Sequence, residues 1–460
     1  MRYPNKKVII HFIGIGGIGM SGIAELMHDL GYKIQGSDTG YNDNIKRLKT
    51  KGIKIFKGHN EKNILNVTAS VYSSAIKKNN SEILACKKHS IPVVSRADML
   101  AELMKRKKSI AIAGSHGKTT TTSLIGNILD NANFDPTIIN GGVINSYSKN
   151  NKFGKGEWLV AEADESDGSF LKLPHQISII TNLDIEHLDY YITKDNLLAA
   201  FESFILNLPF YGYSIICIDN QYLRKLVKKI KTRNIITYSL KNKTADVFVK
   251  SINNNNKSSF FTIKLNKEIN GYKGTYSFNI KLLGNHNILN GLASIITSLI
   301  VGVKINVIKK SLLNYKGVKR RFTFIGKKNK ALIFDDYAHH PTEIKATYLA
   351  AKKISNNITV IFQPHRYSRT KILMNEFVNV LSKIKNLYIL KTYPAGEKLI
   401  KGATAKNLFF NLLKKNNNTI YVDKENLLYK HLYKHTSHKQ LIIFMGAGSI
   451  SKIAYNFIKK

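Results

Sequence analysis

Short apolar runs alternate with longer amphipathic segments along nearly the whole chain. A continuous apolar run predicts a buried strand, and apolar positions three and four apart predict a helix. Their alternation predicts repeated β-α-β units, which build parallel sheets with helices on both faces, an α/β fold. The pattern restarts twice. Lys105, Arg106, Lys107 and Lys108 form a charged break before the strand-like stretch 109–113. Arg320, Arg321 and Phe322 precede a second such stretch, 331–334. Three α/β domains are therefore expected, over residues 1–107, 108–322 and 323–460. The asparagine run 253–256 predicts a surface turn between two strands.

Composition narrows this picture. At about 150 residues per domain, a chain of this length suggests about three domains, and its 43% hydrophobic content excludes a disordered chain. Cys86 and Cys217 lie far apart and match no metal or redox spacing, so two buried thiols in a reducing compartment are expected. The apolar residues 8–13 are short, include His11 and run into glycines, unlike a secretory signal. No apolar run approaches the roughly 20 residues that span a bilayer. A cytoplasmic location without a membrane partner is expected. The formal charge of +41 invites a nucleic-acid reading. Yet the lysines are scattered, often beside asparagine, and no nucleic-acid motif accompanies them. A chain-wide compositional bias explains them better, and no nucleic-acid partner is expected. A positive field would still gather anionic substrates.

The candidate chemistry sits at strand-to-helix turns. The strand 7–13 runs into Gly14, Ile15, Gly16, Gly17, Ile18 and Gly19, with a helix predicted over 20–30. In that context Gly14 permits a tight turn, Gly16 a close approach of backbone to a pyrophosphate, and Gly19 close packing of helix on strand. A helix N-terminus adds amide donors and partial positive charge. Asp38, about 20 residues on, stands where an acid would meet a ribose. The motif does not separate NAD from another nucleotide diphosphate such as UDP, and a glycine turn without a ligand is the plainer alternative.

The strand 109–113 ends in Gly114, Ser115, His116, Gly117, Lys118, Thr119 and Thr120, with a helix predicted over 123–129. Backbone amides there would cradle phosphates, Lys118 would neutralise them, and Thr119 would offer a hydroxyl to Mg²⁺. The loop is shorter than the usual phosphate-binding motif. A magnesium site also needs carboxylates. The buried strand 158–161 leads to Glu162, Asp164, Glu165 and Asp167, and the strand 177–180 leads to Asp184, Glu186, His187 and Asp189. His187 suits a metal or a phosphate, though a loop histidine is commonly an ordinary polar residue. His286 and Asn290 precede a helix predicted over 292–300. Asparagine can read an adenine edge or simply cap the helix. Arg321 could close on a γ-phosphate, or form a solvated charge pair.

Taken in order, these motifs resemble one family, the Mur ligases, and within it the members that add L-alanine. The likeness continues through residues 335–343, including Asp336, Tyr337 and His339, and through residues 362–370, including Arg369. It implies a Rossmann-like N-terminal domain for the UDP-sugar, a central P-loop ATPase-type domain, and a Rossmann-like C-terminal domain for the amino acid. The implied substrates are ATP, UDP-N-acetylmuramic acid and L-alanine, with Mg²⁺ and an acyl-phosphate intermediate, in cell-wall precursor synthesis. Lys118 would stabilise the transferring phosphoryl group, and Thr119 and Glu162 would hold Mg²⁺. His187 would hold a second metal. His286 and Asn290 would contact adenine, Arg321 and Asp336 the rest of the nucleotide, and Tyr337, His339 and Arg369 the amino acid. The family usually has Asp where this chain has Glu186, whose extra methylene could change how His187 is held. Relatives that add later residues carry a modified lysine after this motif, and the stretch 196–202 contains none. The oligomeric state is not legible. Rival readings are a peptide-recycling ligase of the same superfamily, which would lack the string 362–369, and an NAD-dependent dehydrogenase, which would leave Lys118 without a purpose. A basic nucleic-acid-binding protein has only charge behind it.

Overall fold

The computed structural model describes residues 8–73, 75–147, 149–255, 258–416, 418–436 and 440–459. The chain separates into two compact units. One comprises residues 1–252, 261–279 and 289–316, and the other comprises 253–260, 280–288 and 317–460. Among the described residues there are three sheets.

The first sheet has the strand order Lys54–Lys57, Lys33–Asp38, Ile9–Ile13, Ala69–Tyr72, Val93–Ser95, all parallel. Its central strand is buried from Ile10 to Ile13, including His11. The helix Ile18–Asp29 begins two residues earlier than its periodicity predicts.

The second sheet has ten strands. The segment Lys108–Ala113 lies between Trp158–Glu162 and Ile177–Ile180, parallel to both. Ile110, Ala111, Ile112 and Ala113 are fully buried, as strands covered on both faces require. From Lys108–Ala113 the chain first crosses to Thr137–Ile144 on one side, and later to Ile177–Ile180 on the other. That reversal opens a crevice at the carboxyl ends of these strands, where α/β sheets bind ligands. The edge strand Lys149–Lys152 is antiparallel to Thr137–Ile144.

Two further helices start earlier than expected. Lys118–Asn131 takes in the threonine run that precedes the predicted start at 123, and Asn285–Val301 takes in the asparagines before 292. Threonine and asparagine are poor helix formers. Here burial overrides propensity: Thr121 and Thr122 are fully enclosed, and the Asn287 amide donates to Leu283 O at 2.8 Å. Of the asparagine run, Asn253 and Asn254 end the strand Val247–Asn254, and the Asn255 amide donates to Ser258 O at 3.1 Å. Asn256 lies outside the described residues.

The third sheet runs Thr323–Lys328, Ala331–Asp336, Leu441–Met445, Ile358–Phe362, Asn386–Leu390, Thr419–Val422. Only its first strand is antiparallel to its neighbour. Val360, Phe362, Ile443 and Met445 face one core, while Ile361, Ile442 and Phe444 face another. The period of two divides each strand between the helical layers on the two faces. Cys86 and Cys217 are buried free thiols. Among the described residues no helix is long and apolar enough to cross a membrane.

Candidate active site

The first glycine turn is held by backbone bonds. The amides of Gly14 and Ile15 both donate to Ser37 O, at 2.9 and 3.0 Å. Gly14 has φ +80°, which an L side chain rarely adopts. Gly17 occupies the N-cap in extended conformation and brings no side chain across the helix N-terminus. Asp38 ends its strand beside the turn. One carboxylate oxygen accepts from the Gly16 amide at 2.8 Å and the other from the Gly40 amide at 2.9 Å. A Cβ on Gly16 would stand 2.9 Å from that carboxylate and from Ile45 Cδ1. Gly19 serves differently from its expected part in strand packing: it makes room for Arg96, whose Nη1 would lie 2.8 Å from a Cβ there. A cavity of about 270 Å³ opens beside Asp38, lined by Tyr41, Ile45, Lys49, Phe56 and Lys57 among others.

Behind this turn lies Glu82, fully buried. It accepts from Ser37 Oγ and from Asn63 Nδ2, each at 2.6 Å, with His59 Nδ1 at 3.0 Å and His11 Nε2 at 3.5 Å. Burial by itself would raise its pKa. The contact with His11 and the hydrogen bonds from Ser37 and Asn63 together outweigh that and bring it down to about 2.

The second turn carries the reactive-looking groups. Gly117 caps the helix Lys118–Asn131 with φ +85°, and a Cβ there would lie 2.5 Å from Asn290 Oδ1. Asn290 therefore stands against the phosphate loop, and His286 lies one turn earlier on its helix. Lys118 Nζ donates to Gly114 O at 2.6 Å and to Glu165 Oε1 at 2.9 Å. Burial would lower this amine, but Glu165, Asp164 and Glu162 together hold it above its ordinary value, so it stays charged. Burial pushes the Glu165 carboxyl upward against the pull of Lys118. Its other oxygen has no hydrogen-bond partner among the described residues. Thr119 Oγ1 donates to Glu162 Oε2 at 3.0 Å, and the Gly141 amide donates to the same oxygen at 2.8 Å. A hydroxyl and a carboxylate oxygen side by side at the end of a phosphate loop suit a hard cation such as Mg²⁺.

His116 is fixed from the next strand. Its amide donates to Asn182 Oδ1 at 2.8 Å, and its Nε2 lies 2.9 Å from Asp184 and 3.3 Å from Glu186 Oε1. The second Glu186 oxygen lies 3.8 Å from His187 Nε2. Glu186 thus reaches two histidines. His187 has φ 58°, an uncommon conformation for a residue other than glycine, and begins the short helix Leu188–Tyr191. Three neighbouring parallel strands bring Lys118 and Thr119, Glu162, and Glu186 and His187 to one edge of the sheet.

The other compact unit gathers a second set. Asp336 accepts from the amides of Phe322 at 2.7 Å and Ala338 at 2.6 Å, and burial raises its carboxyl to about 6. The guanidiniums of Arg320 and Arg321 lie 4.8 and 5.2 Å from the Tyr337 ring centre. Arg321 is also 3.6 Å from Glu343. His339 packs edge-on against Tyr337, and its Nδ1 lies 2.9 Å from Tyr337 O. Burial lowers its pKa to about 3, and neighbouring Arg369 adds to this against Glu343. The imidazole is neutral, and with Nδ1–H donating to that carbonyl, Nε2 is left as the acceptor. Arg369 Nη1 lies 3.3 Å from His365 Nδ1.

Glu165, read from the sequence as one of the candidate carboxylates for a magnesium site, stands instead against Lys118. Asn182, Gly141 and Arg96 were not singled out from the sequence. They carry no local signal, because their contacts cross between strands or helices.

Three family models match the chain: "Mur ligase family, catalytic domain" over residues 9–108, "Mur ligase middle domain" over 112–298, and "Mur ligase, glutamate ligase domain" over 320–448. The chain is 49% identical over 456 residues to a UDP-N-acetylmuramate–L-alanine ligase of Rickettsia typhi, covering 97% of this chain and 91% of that protein. It is 46% identical over 458 residues to the ligase of the same name from Rickettsia bellii, covering 98% and 96%. Among solved structures it resembles a UDP-N-acetylmuramate–alanine ligase from Thermotoga maritima, with TM-score 0.83, 26% identity and 98% of each chain covered. A murein peptide ligase from Psychrobacter arcticus shares the fold, with TM-score 0.74, 24% identity and 98% of each chain covered. Motifs in order, matched domains and relatives aligned nearly end to end agree: the chain belongs to the Mur ligase family.

Proposed function

We propose that this chain joins L-alanine to the carboxylate of UDP-N-acetylmuramic acid, converting ATP to ADP and phosphate, in peptidoglycan precursor synthesis. One observation carries the reading. The Lys118, Thr119 and Glu162 corner stands in a chain collinear over 97% of its length with a ligase of that name. Residues 1–107 take the UDP-sugar, 108–322 take ATP, and 323–460 take the amino acid.

The reaction brings a carboxylate to a polyphosphate, two anions. A carboxylate oxygen attacks the γ-phosphorus, the bond to ADP breaks, and an acyl phosphate forms. The alanine amine then attacks the acyl carbon, an amide forms, and phosphate and a proton leave. Lys118 exchanges Glu165 for the γ-phosphate and neutralises charge as it spreads in the transition state. Thr119 and Glu162 would hold Mg²⁺, and His187 would hold a second ion. Bound metal screens phosphate charge from the incoming carboxylate. Asn290 and His286 meet adenine, and Asp336 and Arg321 meet the remainder of the nucleotide. Gly14, Gly16, Gly17 and Gly19 surround the UDP diphosphate, with Asp38 near the ribose. The Arg369 fork takes the alanine carboxylate. Neutral His339 accepts from the alanine ammonium through Nε2, beside Tyr337.

The test is phosphate release from ATP with Mg²⁺ and UDP-N-acetylmuramic acid, across L-alanine, D-glutamate and a murein tripeptide. Release that needs both the sugar nucleotide and L-alanine is expected. Release with the tripeptide alone would move the assignment to peptide recycling. Release independent of the sugar nucleotide would remove the proposal.

A further inference from the structure

We propose that Glu397, which lies outside the motifs above, is a positioning residue for the amino-acid pocket, holding Arg369 in register through Ser368; this rests on the reading of Arg369 given above. Arg366 adopts φ 68° and ψ 138°, a conformation that a side chain other than glycine's disfavours. Such backbone persists where its surroundings over-determine it. Two sets of contacts do so here, both from the segment that follows the strand Asn386–Leu390.

The first set is backbone and ring. The Tyr393 amide donates to Pro364 O at 2.8 Å, and the Arg366 amide donates to Tyr393 O at 2.9 Å. The rings of His365 and Tyr393 stack at 5.5 Å, 8° from parallel. These bonds fix the chain before Arg366.

The second set is Glu397. Its carboxylate accepts from the Ser368 amide at 3.0 Å and from Ser368 Oγ at 2.6 Å, one bond to each oxygen. The Glu397 amide donates to Pro394 O at 3.0 Å, which anchors the carboxylate in its own turn. The bonds from Ser368 outweigh the effect of burial and keep the carboxyl below its ordinary range, so it is ionised at neutral pH. Ser368 is the second residue of the helix Tyr367–Ile372, and Arg369 is the next residue. The direction of the Arg369 side chain follows from that turn. Without the carboxylate, an amide and a hydroxyl lose their acceptor, and only the bond to Tyr393 and those from Thr370, whose hydroxyl donates to Arg366 O at 2.8 Å, are left among the described contacts to oppose relaxation of Arg366. A guanidinium fork selects a carboxylate only while its plane is held.

The experiment is steady-state kinetics on the full chain, varying each substrate in turn, for Glu397→Gln, Ser368→Ala, the double variant and Arg369→Ala. Glu397→Gln keeps size but loses one charge-assisted acceptor, so the KM for L-alanine should rise about 10-fold. The KM values for ATP and the sugar nucleotide, and the melting temperature, should stay near wild type. The double variant should be little worse than either single one, because both remove the same link. An unchanged alanine KM in Glu397→Gln, with Arg369→Ala strongly impaired, overturns the proposal and leaves the function standing. An equal rise in all three KM values also overturns it, in favour of a general structural role. Absence of L-alanine-dependent turnover in the wild type overturns both.

Discussion

The two strand-turn-helix corners of the first compact unit share an architecture and differ in the carboxylate behind them. Glu82, behind the first turn, has donors on both oxygens and is held down to about 2. Glu165, behind the second, has a lysine on one oxygen and no hydrogen-bond partner among the described residues on the other, and burial pushes it upward. The first carboxylate is a fixed anion. Its bond to Ser37 braces the residue whose carbonyl receives the Gly14 and Ile15 amides. The second is a replaceable partner if Lys118 takes the phosphate contact proposed for it. A fully satisfied buried carboxylate stiffens a binding turn, while a half-satisfied one can yield to substrate. On the proposed reading, the first corner holds a diphosphate that does not react, and the second a triphosphate that does.

The sharpest break in this comparison is Lys118→Ala. Turnover should fall by about 10³-fold or more, since the charge acts on the transferring group. Binding of the sugar nucleotide, followed by calorimetry, should be nearly unchanged. Residual turnover near wild type would remove Lys118 from the mechanism. Glu82→Ala should act on stability instead. Taking the carboxylate away from Ser37, His59 and Asn63, and from the nearby His11, should cost about 3–5 kcal/mol, read from denaturant unfolding.

The pH dependence of Glu82 has a definite sign. Its folded pKa lies below its ordinary 4.5, so its contribution is fully present above about 4.5 and is lost as pH falls toward about 2. The stability gap between wild type and Glu82→Gln should therefore be constant near neutrality and close between those values. A gap that widened in acid would contradict the network.

Gly16→Ala probes the first turn more gently. Its Cβ would crowd the Asp38 carboxylate and Ile45 at 2.9 Å. The KM for the sugar nucleotide should rise about 10-fold, an energy of about 1.4 kcal/mol, with the KM for ATP unaffected. The smallest effect is expected for Glu186→Asp. The longer side chain reaches both His116 and His187, at 3.3 and 3.8 Å. Shortening it should release one of them and change the Mg²⁺ concentration for half-maximal rate by about 2–3-fold, on the scale of a weakened outer contact. An unchanged magnesium profile would mean that the two histidines are held by other groups.

The sequence by itself determined the α/β class, the strands that carry the two turns, and the residue types at each turn. These are local properties: apolar runs set strands, and glycines with positive φ set turns. Helix starts were less legible. The threonines after Lys118 and the asparagines before 292 have low propensity, and burial rather than sequence preference makes them helical. The partners of the site residues were decided by tertiary structure alone. Asn182 beneath His116, Gly141 on Glu162, Arg96 in the space beside Gly19, and Glu397 on Ser368 all join residues far apart in the chain. Such contacts depend on sheet order and register, and those arise when strands and helices distant in the chain pack together, not from any pattern within one of them.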